Sequence, residues 1–105
     1  MNNPAMANNN YIDPWEGMNS EPRIEILFVS LNGQKFTLRP PKNITIKELI
    51  QGFFKMVKIE NQNNQNIKFM YNGKELNKTD SSKIEDIGYS YGSQIVVIDM
   101  NNLMG

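Results

Sequence analysis

The chain has 105 residues, 11 basic against 11 acidic for a formal net charge of zero, and neither cysteine nor histidine. That length accommodates one domain and a tail, and the missing residues exclude disulfides, thiol catalysis, thiolate zinc sites and the commonest general base. Basic residues are scattered singly, so no electrostatic footprint points to nucleic acid or an anionic membrane. No apolar run approaches the length of a bilayer span, and the N-terminus lacks the apolar core of a signal peptide.

In chain order, residues 1–22 are polar, contain three prolines and show no sustained periodicity. Such a segment buries too little apolar surface to offset its ordering entropy, which predicts a flexible tail. Its one distinctive patch is YIDPWEGM at residues 11–18, with the sole tryptophan. Two readings stand: a chance cluster or a segment that folds back on the domain, and a short docking motif anchored by Tyr11 and Trp15, since aromatic residues are favoured interface anchors.

From Ile24 the pattern alternates. Residues 23–30 place Ile24, Ile26 and Phe28 on one face, Leu31-Asn32-Gly33-Gln34 reads as a turn, and residues 35–39 alternate again with Phe36 and Leu38 inward. This predicts a β-hairpin closed by Pro40-Pro41, because proline cannot donate to a strand ladder. Thr45-Ile46-Lys47-Glu48 is a capping-box sequence. Behind it Ile46, Leu49, Ile50, Phe53 and Val57 fall at helical spacing, with Phe54 widening the stripe. An Asn/Gln-rich run at residues 60–66 breaks the helix. A strand at Ile67–Tyr71 then runs into Asn72-Gly73, a pair suited to φ > 0. A short element at residues 84–86 precedes a last strand at 95–100.

Neither a lone hairpin nor a lone amphipathic helix is stable in water. Laid across one face of a four-stranded sheet, the helix stripe covers Ile26, Phe28, Phe36, Leu38, Phe69, Ile95 and Val97, each contributing about 1.5–3 kcal/mol on burial. Alternation then turns Met70, Val96 and Ile98 to the other face, toward water unless something covers them. An apolar cluster there marks an interaction surface. The tail, through Trp15, is one segment that would hide it by folding over.

The ordered turns and spacings of residues 24–105 resemble ubiquitin and its relatives. Asn32-Gly33 matches the first hairpin turn, Asn72-Gly73-Lys74 the turn after the third strand, and IEDIGY at residues 84–89 the family's Leu-x-Asp-Tyr/Leu-x-Ile segment. The one sizeable insertion falls in the Asn/Gln loop. The resemblance implies an α+β, ubiquitin-like β-grasp fold: a mixed four-to-five-stranded sheet on one main helix. The expected organisation is a tail at 1–22, the domain at 23–100 and a short C-terminal tail at 101–105. It also implies a partner-reading patch built from Leu31, Met70 and Ile98, with Val96 beside them.

The leading functional expectation is a monomeric, non-enzymatic protein-interaction module. It would have no cofactor or metal, a cytoplasmic or nuclear setting, and ubiquitin-pathway receptors as partners. A second expectation is a conjugatable modifier, joined by conjugation enzymes through Gly105. Conjugated relatives end in a terminal glycine, although this chain has Met104-Gly105 where the usual pattern is Gly-Gly. A third is a structural subunit in which Val96, Ile98 and Trp15 are permanently buried. No nucleophile–base pair or metal cluster supports catalysis.

Overall fold

The structure is a computed structural model that describes residues 14–15, 22–59, 65–90 and 92–100. Among the described residues the elements follow each other in the order β1 (Ile26–Ser30), β2 (Lys35–Leu38), α1 (Ile46–Val57), β3 (Ile67–Tyr71), β4 (Lys74–Glu75), a 3-10 turn (Ile84–Ile87) and β5 (Gln94–Asp99). The strands form one mixed sheet in the spatial order β2-β1-β5-β3-β4. Only the central β1·β5 pair is parallel; the other three are antiparallel. This is the α+β β-grasp arrangement expected for the chain, with β4 completing a fifth strand.

The helix begins where its cap lies. Thr45 Oγ1 accepts the amide of Glu48 at 3.1 Å, and the Glu48 carboxylate accepts the Thr45 amide at 3.2 Å, a reciprocal capping box. Two further first-turn amides are satisfied from outside: Ile46 N–H donates to the Ser82 carbonyl and Lys47 N–H to the Asp80 carbonyl, both at 2.9 Å. The helix ends as Lys58 turns left-handed at φ 61°, letting the Ile59 amide donate to the Phe54 carbonyl at 3.0 Å.

Every residue expected under the helix stripe is buried, and Phe53 is the hub. Its ring stacks on Phe28 at 4.6 Å between centroids and meets Phe69 and Phe36 edge-on at 5.4 and 5.5 Å. The buried arc of the helix differs from the expected stripe at one end. Val57 is only half-buried, whereas Gly52 and Met56, four residues apart on one flank, are covered. Val57 is the last helical residue, sitting at the rim where the chain turns away at Lys58.

Two tyrosines fasten the segment around the 3-10 turn to the sheet. The Tyr89 hydroxyl accepts the Leu27 amide at 3.2 Å and has the Ser93 carbonyl at 3.0 Å as its acceptor, while Tyr71 donates to the Gly88 carbonyl at 3.1 Å. Burial pushes the Tyr89 hydroxyl above the ordinary phenol range, against the opposing pull of the Leu27 amide. The clip fixes the start of β5 against β1, and so fixes which residues of the two strands stand side by side.

Candidate functional site

With the inner face committed to α1, the outer face is what alternation leaves. Strands β1 and β3 share the burial pattern buried, half-buried, buried, half-buried, buried. The register aligns one outer row across all five strands: Lys35 on β2, Val29 on β1, Val96 on β5, Met70 on β3 and Glu75 on β4. Its three central members are apolar and half-buried, and its two ends carry opposite charges. In the next row Ile98 stands opposite Lys68. On the other side, Leu27 lies between Thr37 and Gln94.

Two turns hold this register. Asn72 and Gly73 both have positive φ, 53° and 80°, and join Tyr71 to its partner Lys74 through a two-residue link. That link brings Glu75 opposite Met70. At the other end of the face, the β1–β2 turn is pinned by the Gly33 amide on the Ser30 carbonyl at 3.0 Å and by Gln34 N–H on Ser30 Oγ at 3.0 Å. Ser30 Oγ also contacts Asn32 Oδ1. This turn lifts Leu31 into solvent, 73% exposed, one step beyond Ser30, which itself pairs with Val97.

The patch positions expected from the sequence therefore divide into a central pair and two flanks. Met70 and Val96 are direct cross-strand partners. Ile98 lies one row away, and Leu31 stands at the hairpin tip. Sequence reasoning missed Leu27 and Val29, which join the same surface. The signal was present: alternation that puts Ile26 and Phe28 inside puts Leu27 and Val29 outside. Charge accompanies the apolar strip. Burial lowers the Lys78 ammonium from the ordinary lysine value, with Glu75 acting to raise it and Lys68 to lower it further. Lys78 thus feels both Glu75 and Lys68 at the β3–β4 side of the face.

Trp15 lies elsewhere. The sequence allowed the tail to fold over the outer face, but the indole packs on α1 at Gly52, within the hydrophobic cluster and 8% exposed. The reason is steric: a mid-helix glycine leaves a flat gap that a large ring fills. Pro14 and Trp15, expected as part of a flexible tail, are thus packed on the domain. Tyr11 and Gly105, the other expected site residues of the two tails, lie outside the described residues.

Among the described residues there is no group of three or more His, Cys, Asp or Glu able to hold a metal ion, and no helix is long and apolar enough to cross a membrane. What the outer face offers chemically is apolar area, at about 25 cal/mol per Å² removed from water, between charged ends.

The sequence family described as Ubiquitin-2 like Rad60 SUMO-like matches residues 24–98. The chain belongs to this family. The Rad60 SUMO-like match takes in β1 through nearly all of β5. It includes Leu31, Met70, Val96 and Ile98 and leaves Trp15 and Gly105 outside. A crystal structure of the UBL domain of Plasmodium falciparum Dsk2 matches with a TM-score of 0.59 and 21% identity, covering 72% of this chain and 96% of that one. At that identity the likeness shows the fold. No curated protein matches the chain.

Proposed function

We propose that this ubiquitin-like domain docks partner proteins reversibly through the outer face of its sheet and performs no catalysis of its own. The observation that carries this reading is the row Val29–Val96–Met70, three apolar side chains on three adjacent strands, facing away from the helix-covered core. Leu27, Ile98 and Leu31 extend it. Apolar surface of this extent on one face of a small domain favours a protein ligand. Lys35 and Glu75, at opposite ends of the row, give a partner an orientation as well as an attraction. Family membership supports partners among ubiquitin-pathway receptors.

The test is Met70→Glu. A charge in the centre of the row removes capture of the proteins that the wild-type chain retains, while the melting temperature stays near wild type because Met70 is outside the core. Unchanged capture by a folded Met70→Glu chain sinks the proposal.

The family description, with its words SUMO-like, favours a second reading: covalent attachment through the carboxylate of Gly105. An N-terminally tagged chain and its Gly105 deletion, expressed in source cells and run on denaturing gels, separate the two. Heavier tagged species that vanish with Gly105 establish conjugation. Their absence from both leaves reversible docking.

A further inference from the structure

The cleft on the flank of α1 takes no part in the docking face, yet it is built around a single side chain. Trp15 comes from a polar segment outside the family match, and it is nevertheless buried. Its six-membered ring lies so close to the helix that a Cβ on Gly52 would meet Cζ2 at 2.5 Å and Cη2 at 2.7 Å. Glycine inside a helix is unfavourable compared with alanine, and Gly52 has no positive φ to require it. The neighbour that needs the missing side chain at this position is the indole.

The backbone of Trp15 is held as well. Its carbonyl accepts Arg23 Nη2 at 2.5 Å, and Nη1 of the same guanidinium donates to the Arg39 carbonyl at 2.6 Å. One planar fork therefore ties the segment to the end of β2. Pro14 and Trp15 form one wall of the cleft that remains beside the ring, and Pro41, Ile44, Glu48, Gln51 and Lys55 line the rest of it. The domain's share of these contacts, with Gly52 beneath the ring, suits a flat aromatic side chain.

We infer that this flank of α1 is a tryptophan-binding slot, which the chain keeps closed with its own Trp15 as a detachable latch. Detachment leaves the fold whole, because no strand pairing or helix cap runs through residues 14–15. The ligand class is a Pro-Trp peptide segment. Because the segment is covalently tethered, it competes at an effective concentration on the order of millimolar, so the same segment in trans enters only once the latch is removed.

Trp15 is the sole tryptophan, which makes the experiment clean. In the full chain its emission is blue-shifted and shielded from acrylamide. Gly52→Ala shifts it to the red and lowers the melting temperature while far-UV circular dichroism stays helical. In a Trp15→Ala background the sign of the Gly52→Ala effect reverses: the melting temperature rises, because only the gain in helix propensity remains. The tryptophan-free Trp15→Ala chain binds a synthetic YIDPWEGMNS peptide (residues 11–20) saturably, read as a blue shift of the peptide's emission, whereas a Trp15→Ala/Gly52→Ala chain does not.

Solvent-exposed emission in the wild type overturns the slot, as does a Gly52→Ala change in melting temperature of the same sign in both backgrounds. A Trp15→Ala chain that does not fold, or that ignores the peptide, overturns the detachable latch.

Discussion

Phe69 and Met70 are neighbours on β3, yet the two faces of the sheet use them in opposite ways. Phe69 is fully buried, with ring contacts to Phe28, Phe53 and Phe54. Met70 is half-buried and shares its row with Val29 and Val96. Val97 and Val96 repeat the contrast on β5 with identical side chains. The inner face is apolar because stability requires it. The outer face is apolar although the fold would stand with polar residues there, and surplus apolar surface of this kind is what a binding role explains.

That contrast can be broken by substitution. Phe69→Ala removes a ring from the aromatic hub and is expected to cost about 3–5 kcal/mol, read by chemical denaturation, whereas Met70→Ala stays within about 1 kcal/mol. Equal losses at the two positions would mean that the outer face is itself core. Val97→Thr places a hydroxyl where no partner is available, at about 1–3 kcal/mol, while Val96→Thr is expected within about 0.5 kcal/mol. One chemical change, made at adjacent residues, thus sharpens the comparison without altering side-chain size.

The register between the faces is set by the tyrosine clip. Tyr89→Phe leaves the Leu27 amide without its acceptor, a loss of about 1–3 kcal/mol, and it also changes the pH profile. The folded-state pKa of Tyr89 is raised, so the fold favours the protonated phenol. Its contribution is complete below the unfolded value of about 10 and is lost as pH rises through the folded value. Melting temperatures of the wild type should therefore fall more steeply as pH rises past about 10 than those of Tyr89→Phe. Thr45→Ala removes the capping hydroxyl and costs about 1 kcal/mol, with no effect on partner capture. Leu31→Ser, at the exposed hairpin tip, is expected to change stability by less than about 0.5 kcal/mol and to weaken docking alone.

Much of this architecture is legible before any coordinates. The capping box at Thr45–Glu48, the Asn72-Gly73 link and the alternation of β1, β3 and β5 are local signals, each written within a few residues. The less legible parts have physical reasons. Strand β4 is two residues long, too short to show a period. Gly52 reads as a weak point in a helix until the ring that requires it is known, and that ring arrives from a distant segment with no periodicity of its own. Leu27 and Val29 were available from alternation, but the family patch directs attention to the hairpin tip and the later strands.

The parallel seam between β1 and β5 has a consequence for synthesis. Among the described strands, the first to leave the ribosome needs as its central neighbour the last to leave, since Phe28 stands beside Ile95 and Val29 beside Val96. Until Asp99 has cleared the exit tunnel, a nascent chain can hold the β1–β2 hairpin, α1 and the β3–β4 hairpin but not the two pairings through β5, which leaves one edge of β1 and one edge of β3 unpaired. The domain therefore closes in a single late step, and a ribosome stalled before residue 94 would present chaperones with an open sheet edge in place of a folded domain.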